Sequence, residues 1–150
     1  MTDAPEPRVV RASRDVAAPA ETIFELIADP SRQPEWDGND NLGHADPGQR
    51  VTGVGQIFTM HNRGGAIRDN HVVDFVEGTV IAWRPSVQGG EPIGHEWRWE
   101  LEPVDECRTL VTHVYDWTDL TDESRLERAR ATTSDKLRAS LDRLATAAEG

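Results

Sequence analysis

The sequence predicts an α+β fold in which a curved antiparallel sheet of about six or seven strands wraps around a long C-terminal helix, with two short helices after the first strand. Apolar residues fall at helical spacing once near the start and again over the last segment, and the runs between alternate with period two. Glycine-bearing turns, Arg63-Gly64-Gly65, Glu77-Gly78 and Gln88-Gly89-Gly90, separate these runs at hairpin spacing. No repeat, low-complexity tract or linker divides the 150 residues. Residues 8–150 therefore read as one domain behind a polar, proline-containing tail, residues 1–7, expected to be disordered.

Residues 8–16 form the first expected strand, with Val10, Ala12, Arg14 and Val16 on one face. Ala18-Pro19-Ala20-Glu21 then opens a helix. Pro19 suits the first helical position, where its missing N–H is not needed, and Glu21 suits the positive end of the helix dipole. Ala20, Ile23, Phe24 and Ile27 make the apolar face, and Asp29-Pro30 ends the helix. Residues 30–33 are expected to form one turn of a second helix, stopped by Pro34. The Asn-, Asp- and Gly-rich stretch 37–55 holds one short strand near 42–45, and strands follow over 55–62, 66–76, 79–87, 94–104 and 109–118. In the last segment Thr121 is the expected N-cap, and Leu126, Ala129, Thr133, Leu137, Leu141, Leu144 and Ala148 recur at helical spacing. They predict a single helix over 122–148, on the order of 40 Å long at 1.5 Å per residue. Its charged residues, Arg125 and Arg128 among them, read as a solvated face.

Composition narrows the function classes. A net charge of −11 argues against a nucleic-acid partner and against an anionic membrane surface, and Arg63, Arg68 and Arg84 look scattered. Cys107 is the only cysteine, so no internal disulfide can form; in its acidic turn it reads as an incidental thiol. No Cys/His cluster has zinc spacing, and neither a metal nor a cofactor is expected. No apolar signal core opens the chain and no stretch is long enough to span a bilayer, so the cytoplasm is the expected location.

An ordered set of short motifs runs through the chain: Val16-Ala17-Ala18-Pro19-Ala20-Glu21, Ile23-Phe24, Asp29-Pro30, Pro34-Glu35-Trp36, Gly55-Gln56-Ile57-Phe58, Ile81-Ala82-Trp83, Trp97 to Leu101 followed by Glu102-Pro103, and Thr109-Leu110-Val111-Thr112. In this order they resemble the SRPBCC superfamily of helix-grip proteins, which includes START-like lipid carriers, the birch-pollen-allergen fold and proteins labelled polyketide cyclase/dehydrase. The resemblance covers residues 8–148. It implies a cavity between sheet and terminal helix that accepts apolar molecules. It brings no universal catalytic motif, and the iron ligands of the Rieske-dioxygenase branch are not present in this sequence.

The residues that carry chemistry concentrate on the last two strands. His95, Trp97, Trp99 and Leu101 alternate with Glu96, Arg98, Glu100 and Glu102, so the aromatic face points inward. On the final strand Thr109, Val111, His113, Tyr115 and Trp117 are assigned to the inner face by their fit to the family pattern. The expected ligand-binding set is Arg14, Phe58, Met60, His95, Trp97, Trp99, His113, Tyr115 and Trp117, a mostly apolar wall with a few polar points. Arg14 either binds a ligand carboxylate or phenolate or makes a structural pair with an internal acid or backbone carbonyls. Trp36 is expected to shield the open end of the sheet. His95 and His113 either hydrogen-bond within the structure, bind a ligand, or act as general acid–base; Tyr115 could then stabilise an enolate. Three functions follow: binding or transport of a hydrophobic small molecule, lipid or polyketide-like; a cyclase/dehydratase using a pocket histidine; or a regulatory, toxin–antitoxin-type interaction protein.

Overall fold

The computed structural model describes residues 7–150; all of the expected tail, residues 1–7, except Pro7 lies outside the described residues. Seven strands, β1 (Val9–Val16), β2 (Leu42–His44), β3 (Ile57–Asn62), β4 (Ile67–Val76), β5 (Val80–Val87), β6 (Glu96–Asp105) and β7 (Arg108–Asp116), form one sheet in the order β1-β7-β6-β5-β4-β3-β2. Every neighbouring pair is antiparallel. Helix α1 (Ala20–Ala28) and a 3-10 helix (Pro30–Glu35) follow β1, and α2 (Glu123–Ala131) and α3 (Ser134–Glu149) end the chain. This is the expected helix-grip architecture.

Alternation decides which residues fill the interior. Ala12 and Val16 of β1, Phe58 and Met60 of β3, Trp99 and Leu101 of β6, and Val111, His113 and Tyr115 of β7 are buried. In β4 the phase changes. Asn70 and Val72 are buried, Val73 is exposed, and a register shift between Val72 and Asp74 lets Phe75 reach the core against Phe24. The shift inserts one residue, which turns the face over. The β5–β6 ladder ends at the Trp83↔Trp97 pair, two residues before Pro85, which has no N–H to donate.

The single C-terminal helix is replaced by two. Thr132 (ψ 94°) and Thr133 (ψ 168°) are extended, and Thr132 Oγ1 donates to the Arg128 carbonyl at 3.0 Å. Thr132-Thr133-Ser134 is a run of hydroxyl side chains that offer the backbone local alternatives to helix, and two of them are β-branched. The N-cap of α2 is Asp122 rather than Thr121: its carboxylate accepts from the Ser124 N–H at 3.0 Å and the Ser124 hydroxyl at 2.6 Å. Pro19 sits one position earlier than expected, at the N-cap of α1, and Pro34 lies inside the 3-10 helix instead of stopping it.

Helix α3 buries Leu137, Ser140, Leu141, Leu144 and Ala145, whereas α2 buries only Ala129. The loop after the 3-10 helix is fastened to α3. Gly38 N–H donates to Ser140 Oγ at 3.1 Å, and a Cβ at Gly38 would overlap the Ala139 carbonyl group. Gly38→Ala should therefore lower the unfolding free energy by about 1–3 kcal/mol in urea titrations. Gly53→Ala, where nothing lies within 4 Å, should be close to neutral. In hydrogen-exchange measurements the amides of α2 should exchange well before those of α3, because so little of α2 is buried.

Candidate functional site

A cavity of about 460 Å³ lies between the inner face of the sheet, the 37–42 loop and the two C-terminal helices. That volume falls in the roughly 300–1,000 Å³ range of small-molecule sites. The sheet supplies Met60, Asn70, Trp83, Trp97, Trp99, His113 and Tyr115; the C-terminal helices supply Ala129, Leu137 and Ser140, and their connection Thr132; Trp36 and Leu42 close a side.

The antiparallel register assembles the aromatic wall. Trp99 stands opposite His113 and Trp97 opposite Tyr115. The His113 ring stacks on Trp99 at 3.7 Å and on Trp97 at 5.5 Å, and Trp97 lies 4.3 Å from Tyr115. Trp36 meets Trp99 edge-on at 5.1 Å and donates its indole N–H to the Leu26 carbonyl at 2.7 Å. These contacts lock the rings, so the wall is preformed.

The polar atoms are few and constrained. His113 Nδ1 lies 3.0 Å from the Arg98 carbonyl. A carbonyl can only accept, so Nδ1 carries the proton and Nε2 keeps its lone pair. Burial pushes the ring down to about 4, against the opposing pull of that hydrogen bond. His95 is also lowered to about 4, first by burial and then by the positive charges of Arg125, Arg68, Arg128 and Arg84. Burial raises Tyr115 to about 12, so at neutral pH it is a hydroxyl. His95 Nδ1 and Trp99 Nε1 are buried with no hydrogen-bond partner among the described residues; each unmet group costs about 1–3 kcal/mol. Among the described residues no group of three or more His, Cys, Asp or Glu is placed to hold a metal ion.

Six of the nine expected ligand-binding residues, Met60, His95, Trp97, Trp99, His113 and Tyr115, come together in the cavity lining, and three do not. Arg14 lies on the expected face of β1, but its guanidinium pairs with Asp142 of α3 at 2.6 Å, an exposed acid rather than the internal one expected. Phe58 is buried behind the wall, edge-on to Trp83 at 5.2 Å. Trp117 lies beyond the end of β7, buried under the Arg8 guanidinium at 4.5 Å. Trp36, expected only as a shield, is part of the lining. Sequence reading also missed Arg68, Arg125, Arg128 and Lys136, which line the cavity. The i,i+3 spacing of Arg125 and Arg128 puts them on one helix face, but nothing local tells which side that face meets.

Comparison with known proteins identifies the family. Residues 7–149 match the family described as polyketide cyclase / dehydrase and lipid transport. The chain belongs to this family. An uncharacterized protein of Mycobacterium tuberculosis H37Rv is 35% identical over 121 residues, covering 78% of this chain and 50% of that protein. The chain thus spans about half the length of the curated relatives it matches. Among solved structures, the Zhui aromatase/cyclase from Streptomyces sp. R1128 superposes with a TM-score of 0.67 at 20% identity, covering 95% of this chain and 93% of that one. Protein CV1439 from Chromobacterium violaceum gives 0.65 at 17% identity, covering 96% and 99%. The Aha1 dimer from Colwellia psychrerythraea gives 0.64 at 19%, covering 94% and 96%. At these identities the structural likeness establishes the fold. No helix among the described residues is long and apolar enough to cross a membrane.

The neutral histidines have a consequence for stability. The folded value of His113 lies below the ordinary 6.5, so the unfolded chain takes up the proton first as the pH falls. Its contribution is complete above about pH 6.5 and is lost as the pH drops towards 4, by about 3 kcal/mol. Urea unfolding at pH 7 and pH 4.5 should show this loss, and His113→Asn should show a smaller one. Ring 15N shifts should report a protonated Nδ1 and a bare Nε2 at neutral pH.

Proposed function

We propose that this protein binds a hydrophobic small molecule, a lipid or a polyketide-like compound, in the cavity between sheet and C-terminal helices. The observation that carries this reading is the preformed wall of Trp36, Trp83, Trp97, Trp99 and Tyr115 around about 460 Å³. Flat aromatic surface favours fused rings or alkyl chains through burial of apolar area, at roughly 25 cal/mol per Å². Nε2 of His113 supplies a hydrogen-bond acceptor that can orient a ligand hydroxyl. The family's description, which includes lipid transport, supports the reading.

A second reading, cyclisation or dehydration of a polyketide-like substrate, is favoured by one observation. His113, whose Nε2 bears a lone pair, and Tyr115 line the same cavity, so proton abstraction beside a carbonyl and hydrogen bonding to the enolate oxygen have groups to perform them. A ring whose value lies near 4 is a weak base at neutral pH, which gives the binding reading precedence.

Tryptophan fluorescence tests both. Titration with neutral polycyclic aromatics and with alkyl alcohols should give saturable quenching. Ala129→Trp, which plugs the cavity from α2, should weaken binding by about tenfold or more with folding retained. Quenching that never saturates, or that Ala129→Trp leaves unchanged, would remove the binding reading. Turnover of a poly-β-ketone lost in His113→Ala, with binding kept, would establish the second.

A further inference from the structure

We propose that the ligand of this cavity is an anion, an amphiphile whose carboxylate or phosphate group is held by Arg68, Arg125 and Arg128 while its apolar body lies on the tryptophan wall. This rests on the binding reading above and names its substrate class. The chain as a whole carries 27 acids against 16 lysines and arginines. The cavity reverses that balance. Arg68, Arg125, Arg128 and Lys136 line it, and among the described residues Asp37 is the only acid that does. Asp37 offers little to a cation, because its two carboxylate oxygens accept the backbone N–H groups of Asn39 at 3.1 Å, Asn41 at 2.7 Å and Leu42 at 2.8 Å.

The three arginines come from two layers. Arg68 stands on β4 opposite Met60 of β3, which also lines the cavity. Arg125 and Arg128 are one turn apart on α2 and share a face. Among the described residues Arg68 has neither a hydrogen-bond nor an ion-pair partner. All three line the same cavity, and burial, then repulsion from Arg125 and Arg128, holds the Arg68 guanidinium below its ordinary value. Among the described residues Arg128 donates only to the neutral Asn41 amide oxygen at 3.3 Å, and Arg125 pairs with Asp122 at 3.4 Å, at the exposed start of α2. A part-buried cation without a counter-charge is costly, which applies to Arg68; Arg128 is exposed and Arg125 already has Asp122. Guanidinium groups match carboxylate and phosphate oxygens in two-point fashion, so one anion would relieve the repulsion and tie the loosely packed α2 to the sheet.

Calorimetry with two matched series tests this: 1-decanol, decanoate and decyl phosphate, and 2-naphthalenemethanol, 2-naphthoate and 2-naphthyl phosphate. At least one anion of each series should bind about tenfold or more tighter than its alcohol, the worth of one charge-assisted hydrogen bond. The preferred anion identifies the head group. The preference should shrink at high salt. It should vanish in Arg68→Gln and in the double variant Arg125→Gln, Arg128→Gln, both still binding the alcohols. Arg68→Gln breaks no ion pair, so it should keep or raise the Tm. Equal binding of alcohol and anions, or a preference that survives both variants, would overturn the anion assignment and leave the hydrophobic cavity standing. If no member of either series binds, the binding reading falls and this inference with it.

Discussion

The pairing of β6 with β7 is the constraint on which the site depends. It sets Trp97 against Tyr115 and Trp99 against His113. Strand side chains alternate, so a slip of β6 by one residue would turn Trp97 and Trp99 to solvent and bring Arg98 and Glu100 inside. Two features hold the register. On one side β7 pairs with β1 along its length, from Val9↔Asp116 to Val16↔Thr109. On the outer face Arg98 bridges to Asp74 of β4 at 2.7 Å and to Glu100 at 2.8 Å. The same register delivers the Arg98 carbonyl to His113 Nδ1 and so fixes that ring's tautomer, leaving the lone pair on Nε2.

Charge is sorted by the two faces of the sheet. The outer face pairs its cations: Arg84 with Glu96 and Asp119, Arg98 with Glu96, Glu100 and Asp74. On the cavity side Arg68, which has no ion-pair partner among the described residues, lines the aromatic chamber together with Arg125 and Arg128 of α2. A chamber of that kind suits a molecule with a large apolar body and few polar groups, in keeping with a family whose description joins cyclases and lipid transport.

The cavity is walled by parts of unequal stiffness. The 37–42 loop is rigid, gathered by the Asp37 carboxylate and pressed backbone-to-backbone on α3 at Gly38. Helix α3 is anchored by five buried residues. Helix α2, separated from it by two extended threonines, is held by Ala129 and half-buried Leu126. The segment that contributes two arginines to the lining is thus the one with least packing of its own.

The sequence by itself determined the sheet, the order of its elements and the inward face of β6, because the strict alternation of Trp97, Trp99 and Leu101 with Arg98, Glu100 and Glu102 admits only one burial pattern. The helix break was legible in principle at Thr132-Thr133-Ser134, but the apolar spacing of Leu126 through Leu144 continues across it and conceals it. Tertiary structure decided the rest. The face of β4 changes at a bulge, which depends on its pairing with β5 and has no local sequence mark. Arg14 pairs with Asp142, 128 residues away, and lies outside the cavity lining. Arg68, Arg125 and Arg128 read as scattered or solvated charges because they share a cavity only once the chain has folded. Period and composition are local properties and specify elements; which elements meet, and hence which charges share a cavity, is fixed by long-range packing.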